Sequence, residues 1–183
     1  PVGVTIGDAY GVNMNTVNGI TSSSGNITIS GTSNSSGNAA YGVRVLQSWT
    51  TGTTGTLTFQ NCVGGTGSNT HGVVVTVGIP ISTSGNIIAT NNIKSGLGSG
   101  TDGSGGFYVG GPISSSGGNI QITATCTLGT AGTGAGTGIR MEESGGISTT
   151  GNGNITLIGT GSSISGSSSQ GIFIRAGTSG LTT

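Results

Sequence analysis

The sequence predicts an all-β fold: a parallel β-helix, or β-solenoid, of about five to six coils, each of roughly 32 residues and three short strands. Three observations predict it. A Gly-apolar-x-apolar tetrad begins at Gly11, Gly42, Gly72, Gly106, Gly138 and Gly171, with spacings of 31, 30, 34, 32 and 33 residues. A second strand follows each tetrad by about 14 residues, opening at Gly25, Gly55, Gly85, Gly118 and Gly153, usually as Gly-Asn-Ile. Between them an apolar residue leads into a hydroxyl-rich turn, at Ile20, Ile81, Ile113 and Ile147, while the second copy, near Trp49, is irregular.

The tetrads supply the first strand of each coil. Period-two alternation turns one apolar set inward. Stacking the coils then makes a ladder of Val12, Val43, Val73, Phe107, Ile139 and Ile172, flanked by Met14, Val45, Val75, Val109, Met141 and Ile174. The second strands add an inner stack of Ile27, Leu57, Ile87, Ile120 and Ile155. Like residues sit on like residues at the strand spacing of about 4.8 Å. Hairpins would demand antiparallel neighbours and short uniform turns, whereas a fixed three-strand period favours a coil. At the Gly-Asn corner, glycine is expected to supply a positive φ, and Asn26, Asn86, Asn119 and Asn154 to bond amide to amide along the axis. Variable segments such as 96–105 and 129–136 are expected to bulge outward as loops.

Composition narrows the function classes. Glycine fills 41 of 183 positions, only eight residues are charged, and the formal net charge is zero. Such a chain has no basic patch to neutralise phosphates, which argues against a nucleic-acid partner. No apolar run approaches the roughly 20 residues of a membrane span. Abundant Ser, Thr, Asn and Gly with scarce Lys and Glu fit a secreted surface protein, extracellular or on a cell surface.

The phrases Gly25-Asn26-Ile27-Thr28-Ile29-Ser30-Gly31-Thr32 and Gly151-Asn152-Gly153-Asn154-Ile155-Thr156-Leu157 resemble the β-helical repeats of bacterial filamentous-haemagglutinin-like and autotransporter-type surface proteins. The resemblance covers essentially the whole chain. It implies a right-handed β-helical shaft, secretion, and a place in a cell-surface adhesin or stalk.

No catalytic, cofactor-binding or metal site is predicted. Asp8 and Asp102 occupy similar turns about three coils apart, roughly 14 Å at the strand spacing, too far for a glycosidase pair. Glu142 and Glu143, beside Arg140, read as a solvated charge cluster. His71 has no acidic or cysteine companion in its coil and reads as a surface turn residue. Residues 98–106 hold one Asp, without the tandem copies that calcium-binding glycine-rich repeats need. Cys62 and Cys126 fall two coils apart, near 10 Å, beyond the roughly 7 Å reach of a disulfide. The sequons at Asn26, Asn34 and Asn154 matter only in a host that glycosylates.

One surface stands out. The outward column Asn13, Arg44, Val74, Tyr108, Arg140 and Phe173 carries arginine, aromatic and apolar residues where a solvated face would carry Ser or Thr. It is a candidate contact column for a neighbouring chain or for glycan. Residues 1–183 thus read as a single solenoid segment, a fragment of a longer repeat protein, forming a structural shaft or fibre. Self-association, end to end or lateral, is the expected partnership, and the alternative function is a glycan- or host-surface-binding module. A polysaccharide-cleaving enzyme is disfavoured for want of paired carboxylates.

Overall fold

A computed structural model describes residues 9–18, 20–52, 54–96, 104–128, 136–142, 144–162, 169–175, 177 and 180–183. Residues 98–103 of the glycine-rich segment, Asp8, Asp102, Glu143 and most of the two expected loops lie outside these residues, while 104–106 are described. In chain order the strands are β1 (Tyr10–Met14), β2 (Ile27–Ile29), β3 (Tyr41–Val45), β4 (Trp49–Thr50), β5 (Leu57–Gln60) and β6 (Val63–Gly64). There follow β7 (His71–Val75), β8 (Ile81–Thr83), β9 (Ile87–Gly96), β10 (Ser104–Val109), β11 (Pro112–Ser115) and β12 (Ile120–Leu128). The last are β13 (Gly136–Met141), β14 (Gly146–Thr149), β15 (Ile155–Thr160), β16 (Ile172–Ile174) and β17 (Gly180–Thr182).

These strands form three parallel sheets. The tetrad sheet runs β1-β3-β7-β10-β13-β16, the hydroxyl sheet β4-β8-β11-β14-β17, and the corner sheet β2-β5-β9-β12-β15 with β6 beside β9. Each strand pairs with its counterpart one turn away, so the chain winds as a β-solenoid and the hairpin reading fails. Four complete three-strand turns, beginning at β3, β7, β10 and β13, are flanked by a partial turn on each side. That is fewer than the five to six coils expected. The reason is local: the segment at Ile20 does not enter the hydroxyl sheet, and Ile20 stays exposed. The sheet starts instead at Trp49, which takes the ladder position of Ile81 and Ile113. The copy that looks irregular in sequence is therefore in register. Trp49 is fully buried, and its indole N–H donates to the Ile20 carbonyl at 2.7 Å, so the large ring carries no unsatisfied donor.

Inside, the ladders stack as the alternation requires. Val12, Val43, Val73, Phe107, Ile139 and Ile172 are successive partners in the tetrad sheet. Ile27, Leu57, Ile87, Ile120 and Ile155 do the same in the corner sheet. Each fully buried side chain contributes about 1.5–3 kcal/mol of transfer energy, and no strand here is long enough to gather that alone. Ring contacts tie the sheets together: Trp49 meets Phe59 edge-on at 6.0 Å, and Phe59 meets Phe107 edge-on at 6.0 Å. Ala89 follows Phe59 in its ladder, and its small side chain leaves room for those rings.

The Asn corner differs from expectation in its chemistry. The amides do not simply pair with each other. The Asn26 Oδ1 accepts the Thr56 backbone N–H at 2.9 Å, Asn86 Oδ1 accepts that of Asn119 at 2.9 Å, and Asn119 Oδ1 accepts that of Asn154 at 2.8 Å. Among the described residues only Asn154 Nδ2 to Asn119 Oδ1, at 3.4 Å, follows the amide-to-amide pattern. Nor do the corner glycines need a positive φ. They are glycines because the chain is crowded there: a Cβ on Gly118 would lie 2.3 Å from the Gly85 carbonyl oxygen.

A second glycine column closes the coil where the tetrad and corner sheets meet. A Cβ on Gly42 would lie 2.6 Å from the Val63 nitrogen, and one on Gly138 2.4 Å from the Thr160 nitrogen. Across the seam, a Cβ on Gly159 would lie 2.0 Å from the Gly171 oxygen. The two backbones pass with no side chain between them. Gly138→Ala should therefore force the sheets apart and cost about 3 kcal/mol or more, read as a drop in melting temperature; an unchanged melt would contradict this seam.

Candidate functional site

The seam also decides which side chains reach the outer face. The tetrad glycine and the residue after it both face inward, so strict alternation breaks between them. Pairing skips the glycine accordingly: Tyr10 partners Tyr41, then Val12 partners Val43. The residue before the glycine is thrown outward. Tyr10, Tyr41 and His71 thus join the outer column instead of the core.

His71 is the clearest departure from the sequence reading. It lies in β7, only 2% exposed, and is not a surface turn residue. Its ring sits 5.8 Å from Tyr41 and 5.1 Å from Tyr108, while Tyr41 lies 5.7 Å from Tyr10 in a stacked pair. Gly105 occupies the position paired with His71, and its missing side chain leaves space for Tyr108 to lean over the imidazole. The sequence signal was an aromatic or His directly before the glycine of the first three tetrads. Period-two reasoning sends those residues to the wrong face.

The expected column itself is in register: Asn13 partners Arg44, Arg44 partners Val74, Val74 partners Tyr108, Tyr108 partners Arg140, and Arg140 partners Phe173. Arg44 Nη1 donates to the Tyr10 hydroxyl, and the guanidinium carbon stands 5.1 Å from the Tyr10 ring centre and 5.8 Å from that of Tyr41. Arg140 stands similarly over Phe173 at 5.6 Å. Such cation–π contacts hold a planar guanidinium flat against the face.

Between Arg44 and Tyr108 the column dips. Val74 is the floor of a half-open groove of about 160 Å³, walled by Tyr41, His71, Tyr108, Arg44, Thr76 and Val77. A larger hollow of about 380 Å³ runs along the hydroxyl sheet, but Ser and Thr line almost all of it. Its hydroxyls bond one another or the backbone, as Thr50 Oγ1 does with Ser82 Oγ at 3.0 Å and Ser115 Oγ with the Gly85 carbonyl at 2.7 Å. That surface is spent on holding turns together. Among the described side chains, the outward arginines and aromatic rings gather on the tetrad sheet.

Further along the same face lies a charge cluster, and it is not the solvated one expected. Glu142 is only 7% exposed. Its Oε1 accepts from Arg140 Nε at 2.5 Å and its Oε2 from Arg175 Nη1 at 2.9 Å. Burial alone would raise this carboxyl, but the hydrogen bonds from Arg175 and Arg140 outweigh it and hold the group below its ordinary value. Tyr108 moves the other way: burial first, then the Glu142 charge, raise its phenol. A protein-family scan finds no match for this chain, and neither do searches of curated proteins and of solved structures.

Both cysteines are buried, and neither is in a disulfide. They do not share a ladder: Val63 partners Ile93 and Cys126 partners Lys94, so Cys62 stands two columns from Cys126. Burial pushes the Cys62 thiol up to about 11, which leaves it neutral and unreactive near pH 7. Among the described residues no three His, Cys, Asp or Glu cluster to hold a metal ion.

The Glu142 cluster gives a pH signature. A carboxyl held low when folded stabilises the chain fully above its unfolded value of about 4.3, and that increment is lost as pH falls through the lower folded value. Glu142→Gln should lack this acid-side loss. Melting curves from pH 6 to pH 3 should therefore converge for the two proteins at the acid end; parallel curves would contradict the two-arginine clamp.

Proposed function

We propose that this chain is a structural shaft module of an extracellular bacterial surface adhesin or filament. Its role is to stack turns into a rod that holds other parts at a distance. The observation that carries this reading is the state of the ladders at the last described turn. Ile172, Ile174 and Leu181 are 39%, 45% and 48% exposed, although their partners one turn back, Ile139, Met141 and Ile147, are buried to within 1%. The same side chains that make the core thus present an apolar, strand-edged surface in register for a further turn. Exposed parallel edges of this kind pair readily.

The composition and the repeat phrases support the extracellular, adhesin-type setting. The hydroxyl-rich outer faces and the scarcity of charge fit a rod exposed to solvent. Among the described residues no helix is long and apolar enough to cross a membrane.

Electron microscopy and sedimentation of the purified chain test this reading. The chain should elongate by end-to-end contact as concentration rises, and Ile172→Lys with Leu181→Lys should hold it as single short rods. Monodisperse single rods from the unsubstituted chain at high concentration would contradict a stacking role for that surface.

A further inference from the structure

We propose that the groove over Val74 binds one carboxylate-bearing pyranose unit of an acidic polysaccharide. This goes beyond the shaft reading and does not rest on it. Its volume of about 160 Å³ is roughly half the lower end of drug-sized pockets, about 300 Å³, so a single ring is the unit it accommodates. The half-open form lets neighbouring sugars run on along the face. Val74 and Val77 with the Tyr41 and Tyr108 rings offer an apolar surface to the C–H face of a pyranose.

The polar groups point to an anion. Arg44 and Thr76 line this groove; Arg44 Nε and Thr76 Oγ1 lie enclosed beneath its surface, with no hydrogen-bond partner among the described residues. Arg44 makes no ion pair with any described carboxylate, while Glu142 is engaged by Arg140 and Arg175. Among the described residues the face therefore carries a guanidinium without an ion-pair partner beside aromatic rings. A carboxylate matches the planar fork of arginine and completes its hydrogen bonds.

Other occupants fit less well. Nucleic acid would need many phosphate contacts, and the chain has zero formal net charge.

Calorimetry on the full chain with trigalacturonate and with its methyl ester, the same sugar without charge, tests the proposal. The acid should bind, and the ester should bind about tenfold more weakly or worse, as expected for losing a hydrogen-bonded charge. Arg44→Gln should weaken binding by a similar factor. Val74→Phe, which fills the groove from its floor and keeps Arg44, should do the same, so the test survives if the Arg44 variant misfolds. Lys94→Gln, on the corner sheet, should leave affinity unchanged, and end-to-end rod growth should persist in Val74→Phe. Absence of binding by the acid overturns the proposal, as does equal binding of the ester. So does equal loss in Lys94→Gln, which would mean diffuse charge attraction, or lateral dimerisation lost in Arg44→Gln in place of sugar binding.

Discussion

The fold depends on one constraint, the passage of two backbones past each other at the glycine seam. Where the tetrad sheet meets the corner sheet, no side chain fits between the chains, and the separation is set by main-chain contact. This fixes the width of every turn, so that ladders of similar residues can lie directly above one another. Apolar burial supplies the driving force, but burial is non-directional. The seam and the corner hydrogen bonds give it a register. A change at one turn is felt by the turns above and below because the same contact repeats along the axis.

The seam has a second effect, on the surface. Two consecutive inward residues break the alternation, and the residue before each tetrad glycine is pushed out. Tyr10, Tyr41 and His71 then meet Arg44 and Tyr108 on the outer face. The feature that closes the core thus also assembles the one chemically varied surface among the described residues. The other two sheets show the contrast. Their outward hydroxyls and amides are used by neighbouring turns, and little remains for recognition. A shaft with one distinctive face can both extend and bind, and the two roles use different surfaces: strand edges at the end of the stack and side chains along its flank.

Much of this was legible in the sequence because stacked turns repeat their residue types. The three ladders, the parallel coil and the partners of the outer column all follow from spacing. Trp49 was not legible as a ladder residue because its copy lacks the Ile-Ser pattern, although a large apolar ring satisfies the same buried position. Ile20 has the pattern but stays outside the sheet, where its carbonyl accepts from the Trp49 indole. The Asn corner was placed correctly and its bonding was not, since nothing in residue types distinguishes a backbone donor from an amide donor. His71 was read as a surface turn residue and is buried in a strand, because a lone histidine carries no mark of its neighbours in other turns, the Tyr41 and Tyr108 rings that cover it. The burial of Glu142 was hidden in the same way, because Arg175 lies 33 residues away and reaches it only through stacking.

Register is the claim on which ladders, seam and groove all stand, and disulfide trapping reads it directly. Gln121 and Thr156 are exposed partners on adjacent corner strands. In a chain with Cys62 and Cys126 replaced by Ser, Gln121→Cys with Thr156→Cys should oxidise to completion under mild conditions, because neighbouring parallel strands, about 4.8 Å apart, lie within disulfide reach. The diagonal pair Gln121→Cys with Ile158→Cys should stay reduced. Preferential cross-linking of the diagonal pair would show that the turns are stacked out of the register described, and would contradict the account.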